Sequence, residues 1–129
     1  MKRRFASILA VLIILTVVLV GCSNVTFSSA VNYSSVETPT SWTITASSIN
    51  SQESRTVSMS AENLNALAVA SSNSEGSISL VITQGDITRT VDISGQFSGR
   101  IGAKDFSPGR IEMDLHFEHA KDARVNISW

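Results

Sequence analysis

"IEMDLHFEH", Ile111 to His119, decides the fold. Its apolar residues Ile111, Met113, Leu115 and Phe117 fall at every second position, with Glu112, Asp114, His116 and Glu118 between them. A strand sends alternate side chains to opposite faces, whereas helical spacing would scatter these four around the cylinder. The stretch therefore reads as a strand with one face in the core and one in water. "ARVNISW", Ala123 to Trp129, repeats the pattern with Val125, Ile127 and Trp129 inward.

The same texture extends toward the N-terminus. Pro108-Gly109 in "SPGR" reads as the centre of a type II turn before Ile111. "SISLVITQ" and "ITRTVDIS" put Ile78, Leu80 and Ile82, then Ile87, Val91 and Ile93, on common faces. Gly85-Asp86 between them reads as a two-residue hairpin loop of the primed type, with positive φ at the glycine. "AENLNAL" breaks the pattern, and Ser60 before it is placed to cap one helical turn that sends Leu64 and Leu67 inward. "SWTITASSI" and "SRTVSMS" are two further runs, with Trp42 and Ile44, then Arg55, Val57 and Met59, on one face each. About eight short runs separated by turn signals, without helices between them, predict an all-β antiparallel β-sandwich, with a jelly roll as one form of it and a small barrel as the second choice.

The first residues are of another kind. Lys2, Arg3 and Arg4 precede an apolar run from Phe5 to Val20, too short for the ~20 residues of a membrane span. A basic start, an apolar middle and a small residue before a cut describe a signal peptide, residues 1–21. Leu19-Val20-Gly21-Cys22 resembles the lipobox of bacterial lipoproteins. That resemblance covers the leader and Cys22. It implies that Leu19, Val20 and Gly21 are read by a lipoprotein signal peptidase, and that Cys22 receives a diacylglyceryl group and becomes the first residue. Cys22 is the only cysteine, so no disulfide competes for its thiol. Two acyl chains anchor stably where one holds marginally. The implied location is the extracytoplasmic side of a cell membrane, or the outer membrane in a diderm host, which Ser23 after the cysteine permits.

Residues 22–41 are rich in serine and threonine and read as a tether with the option of one edge strand through Val25, Phe27, Val31 and Tyr33. The folded domain is then expected over residues 42–129.

Past the leader the chain carries seven basic residues against eleven acidic ones. That balance argues against nucleic acid as a partner, and against a polybasic grip on lipid headgroups. Chemistry is sparse. "GQFSG", Gly95 to Gly99, is not the G-x-S-x-G elbow of a serine hydrolase. The glycines from Gly95 to Gly109 lie in a stretch that reads as loop, not as a phosphate cradle. Asp114, His116 and Glu118 share a face, but same-face neighbours on a strand stand about 6.5 Å apart, wide for one metal without help from a second strand. They are weak metal candidates, better read as a solvated face. Trp42, Phe97, Phe117 and Trp129 fall on apolar faces, while Phe106 and Tyr33 are expected nearer the surface. No cofactor and no catalytic residue is expected. The expected function is a membrane-anchored, non-catalytic binding or interaction module, its partner an envelope protein or a small ligand. The alternatives are a structural envelope subunit without a pocket and, last, a weak metal-dependent or carbohydrate-active domain.

Overall fold

The computed structural model of the chain describes residues 25–129, with side chains from Ser29 onward. The leader, the lipobox and Cys22 lie outside the described residues. Chain order is β1 (Val25–Val31), β2 (Ser34–Thr38), β3 (Ser41–Met59), a six-residue helix α1 (Ala61–Ala66), β4 (Ala68–Ser72), β5 (Glu75–Gln84), β6 (Ile87–Asp92), β7 (Gln96–Arg100) and β8 (Gly109–Ser128).

Two long strands form the spine. β3 and β8 pair antiparallel from Ser41↔Ser128 to Met59↔Gly109. On its other side β8 takes β5 along its first half and β4 along its last. β6 extends the sheet from β5, and β7 from β4. Beyond β3 lie β1, against residues 48–53, and β2, against residues 41–45. Every pairing among the described residues is antiparallel, as the alternation in Ile111–Glu118 requires.

The spine is doubled over. The Arg55 guanidinium donates through Nη1 to the Ser41 carbonyl at 2.6 Å, though the residues are 14 apart on one strand. A straight strand would hold them about 46 Å apart. Extra residues at the bend keep the apolar set pointing inward. In β8 the buried series runs Leu115, Phe117, Ala120, Ala123, Val125, with His119 and Asp122 at φ 47° and 50° in the two gaps. In β3 it runs Trp42, Ile44, Ala46, Ile49, with a register shift between Ile49 and Ser51. The facing halves share one core that includes Ile44, Ile78, Leu80, Leu115, Val125 and Trp129. This sandwich is one hydrogen-bonded sheet folded on itself, whereas a jelly roll is built of two.

Local expectations resolve individually. Ser60 Oγ accepts from Asn63 N at 3.2 Å and Asn63 Oδ1 accepts from Ser60 N at 2.9 Å, a reciprocal cap that puts Leu64 and Leu67 in the core. Gly85, at φ 57°, turns the β5–β6 hairpin. Gly109 departs from the expected type II turn: its φ of 140° lies well beyond the ~80° that turn needs, and it already opens β8. The glycine stretch read as loop contains β7. Phe106, expected near the surface, is buried, because the chain turns at Lys104-Asp105 and Phe106 N donates to Ala103 O at 3.1 Å.

The largest correction concerns residues 22–41. From Val25 to Thr38 they form two edge strands, and β2 is joined to β3 by a tight turn at Pro39-Thr40. The folded sheet therefore starts at Val25 rather than Trp42. The physical reason is that an edge strand needs only one paired side and little apolar content, so serine and threonine suffice.

Candidate functional site

All five residues of β2, Ser34 to Thr38, are exposed to solvent. It pairs with β3 alone, and among the described residues no strand covers its far side. Alternate residues of an antiparallel strand send their N–H and C=O groups to opposite sides, so half of those in β2 face outward. Val36 is 54 % exposed, and Val31, just before the bend into β2, is 53 % exposed. They are two of the three large hydrophobic side chains left exposed among the described residues.

This edge is held from within. Arg55 points inward from the far half of β3 and donates through Nη2 to the Thr38 carbonyl at 2.8 Å. Its guanidinium lies over the Trp129 ring, 5.0 Å from the centroid, and 3.9 Å from a Glu37 carboxylate oxygen. Trp42 Nε1 donates to Ser35 Oγ at 3.3 Å. Where β1 passes into β2, Asn32 takes a left-handed φ of 51°, a conformation asparagine tolerates, and its Nδ2 donates to Ser47 Oγ at 3.0 Å. These contacts fix the edge in position, so little order would be lost if a further strand paired with it.

Behind the edge sits a buried carboxyl. Glu53 is only 2 % exposed; one of its oxygens accepts from the Tyr33 hydroxyl, while Oε2 and the neighbouring Ser51 Oγ have no partner among the described residues. Burial pushes the Glu53 carboxyl above its ordinary range; the Tyr33 hydrogen bond pulls the other way, and the Glu37 charge adds to the rise. Burial likewise raises the Tyr33 phenol, helped by its bond to Glu53.

A pH dependence follows. The folded chain keeps a proton on Glu53 that the unfolded chain releases in the ordinary carboxyl range. This group's contribution is therefore fully present in acid, and is lost as pH climbs from that range through the raised folded value. In Glu53→Gln the amide oxygen still accepts from Tyr33 and the amide nitrogen is able to donate to Ser51, with no charge to desolvate. The variant is expected to gain about 1–3 kcal/mol at neutral pH and little in acid. Urea unfolding at a series of pH values checks this; a constant difference between the two proteins across pH would contradict it.

The residues picked from sequence lie elsewhere. Asp114, His116 and Glu118 share the solvent face of β8, opposite Ser54, Gln52 and no β3 partner in turn, with Val81, Ser79 and Ser77 across on β5. Asp114 Oδ1 accepts from Ser54 Oγ. No group of three or more His, Cys, Asp or Glu side chains among the described residues is arranged to hold a metal. Two shallow depressions of mixed polar and apolar lining mark the outer faces. One, of about 500 Å³, includes Thr43, Phe97, Arg124 and Asn126. The other, of about 470 Å³, includes Gln84, Arg110 and Glu112. Gln84 is occupied structurally, donating to Ser107 O at 2.8 Å. Among the described residues no helix is long and apolar enough to cross a membrane.

Sequence reasoning allowed for an edge strand but missed Glu53 and Arg55 as partners of it. The signal was present: Ser51, Glu53 and Arg55 occupy the same alternating face as Val57 and Met59, where polar residues need a buried partner. Compared with known proteins, the chain matches no protein family, and no curated protein or solved structure matches it.

Proposed function

We propose that this chain is a bacterial lipoprotein, anchored through lipid on Cys22 at the extracytoplasmic side of a membrane, and that it serves there as a non-catalytic interaction module. The observation that carries the interaction reading is the open, rigidly backed β2 edge with Val36 uncovered. Exposed edges accept partner strands, because backbone groups supply affinity and alternate side chains supply choice. The anchoring reading rests on the lipobox behind a basic, apolar leader.

Anchoring is tested by labelling cells with a fatty-acid analogue and fractionating them. Wild type should take up label and sediment with membranes. Cys22→Ser should lose both the label and the cut that depends on it. Equal labelling of the two proteins would refute the lipoprotein reading.

A further inference from the structure

Ser34-Ser35-Val36-Glu37-Thr38 has a property beyond exposure: it is self-complementary when paired antiparallel with its own copy about Val36. In that register Val36 meets Val36, Ser35 meets Glu37, and Ser34 meets Thr38. The two exposed valines cover each other, and each Glu37 carboxylate faces a hydroxyl rather than its like-charged copy. Shifting the centre one residue later would set Glu37 against Glu37 and each valine against Thr38 instead of the other valine, and like charges directly opposite are unfavourable. The choice does not depend on which backbone groups of β2 face outward. If Ser35 and Glu37 carry them, those two pair with each other across the axis; if Ser34, Val36 and Thr38 carry them, Ser34 pairs with Thr38 and Val36 with itself.

The ladder is bounded at both ends. Pro39 has no N–H to donate, and Asn32 at φ 51° turns the chain out of line before Ser34. β2 lacks the lysine, proline or bulge that commonly blunts an edge, and Glu37 is already engaged with Arg55. The other exposed large hydrophobic, Ile87, opens β6, where Arg89 donates to the Gly102 carbonyl in the loop between β7 and β8. On β2 the comparable contact lies at its last residue, where Arg55 donates to the Thr38 carbonyl and leaves Val36 exposed.

We infer that a second copy of this chain docks on β2, joining the two folded sheets edge to edge about a two-fold axis at Val36. The inference rests on the interaction reading above and names its partner. A five-residue ladder is a small contact, weak between freely diffusing molecules. Anchoring both copies in one membrane raises their effective concentration, which is where the contact belongs.

The test uses the full-length protein in its membrane. Cys22 carries lipid in this reading, so wild type should give no disulfide-linked species on mild oxidation. Val36→Cys, a change at an exposed site, should give a species of twice the chain mass. Thr88→Cys, exposed on the opposite edge, should not. Register is checked with Thr38→Cys, whose copies would lie about 13 Å apart along the ladder, beyond the ~7 Å a disulfide spans between Cα atoms. It should link poorly alone and efficiently when co-expressed with Ser34→Cys. Equal linking of Val36→Cys and Thr88→Cys, or none from Val36→Cys, would overturn the inference. A benzophenone attached to the new thiol of the Val36→Cys variant then separates the two readings. An adduct with a different protein removes the second copy but keeps β2 as an interaction edge. No adduct removes the edge from the proposed function as well, while the lipidation test stands independently.

Discussion

Leu115→Ala should lower the unfolding free energy by about 2–5 kcal/mol, the range for a buried leucine truncated in a core. Leu115 is 1 % exposed and sits mid-strand in β8, opposite Glu53 on one side and Leu80 on the other. Both flanking strands are fixed by their own ladders, so the walls of the new void cannot close in. The upper part of the range is therefore expected. Buried Trp42 and Trp129 report on the core from the other half of the doubled sheet. Loss of their fluorescence signal in step with loss of strand circular dichroism would show that both halves unfold together. Two separate transitions would contradict a single shared core.

Gly76→Ala should be of similar size, for a different reason. Gly76 sits in β5 at φ 77°, at the register shift between Glu75 and Ser77. A methyl group built there would fall on the carbonyl oxygens of Glu118 and His119, far inside van der Waals contact. Both obstacles are backbone, at the point where β8 takes positive φ to bend. A side chain could swing aside; this backbone cannot without unmaking the bend. Left-handed strain on alanine costs about 1–2 kcal/mol and forced displacement about 1–3 more, so a loss of about 2–5 kcal/mol is expected. Gly85→Ala makes the informative comparison, because φ is also positive there, at 57°, but nothing stands within 4 Å. If the two variants unfold at the same denaturant concentration, steric closure at Gly76 is not the cause.

Alternation made the strands legible and made their continuity hard to read. Ile111–Phe117 and Val125–Trp129 each read as a strand, yet they are the two halves of β8. Trp42–Ile44 and Val57–Met59 likewise belong to one strand, β3. The pattern loses phase at Ala120 and again before Ala123, and a change of phase reads in sequence as an end. Only the positive φ at His119 and Asp122, which no apolar pattern records, turns an end into a bend. The helix cap at Ser60 and the hairpin at Gly85 were readable because each depends on neighbours in sequence. Phe106 was not, since its burial depends on a turn at Lys104-Asp105 that carries no glycine or proline. The candidate edge was half visible: Val36 among small polar residues read as tether, because pairing to one side leaves no periodic signature. What backs that edge, Arg55 reaching Thr38 and Ser41, depends on the doubling of β3 and so lay beyond any local reading.

The pairing of Ser41 with Ser128 bears on the order of events as the chain is synthesised. β3 comes out early, yet its principal neighbour is β8, and β8 also pairs with β4 and β5. Until β8 arrives, β3, β4 and β5 have no common strand to join, and each exposes apolar side chains. Contacts so distant in sequence place the domain among slow-folding topologies. A chain of this design is first a set of separate strands and hairpins, and is locked by the last strand to appear. The interval before that closure is when a chaperone would be needed and when a protease would find the chain most open.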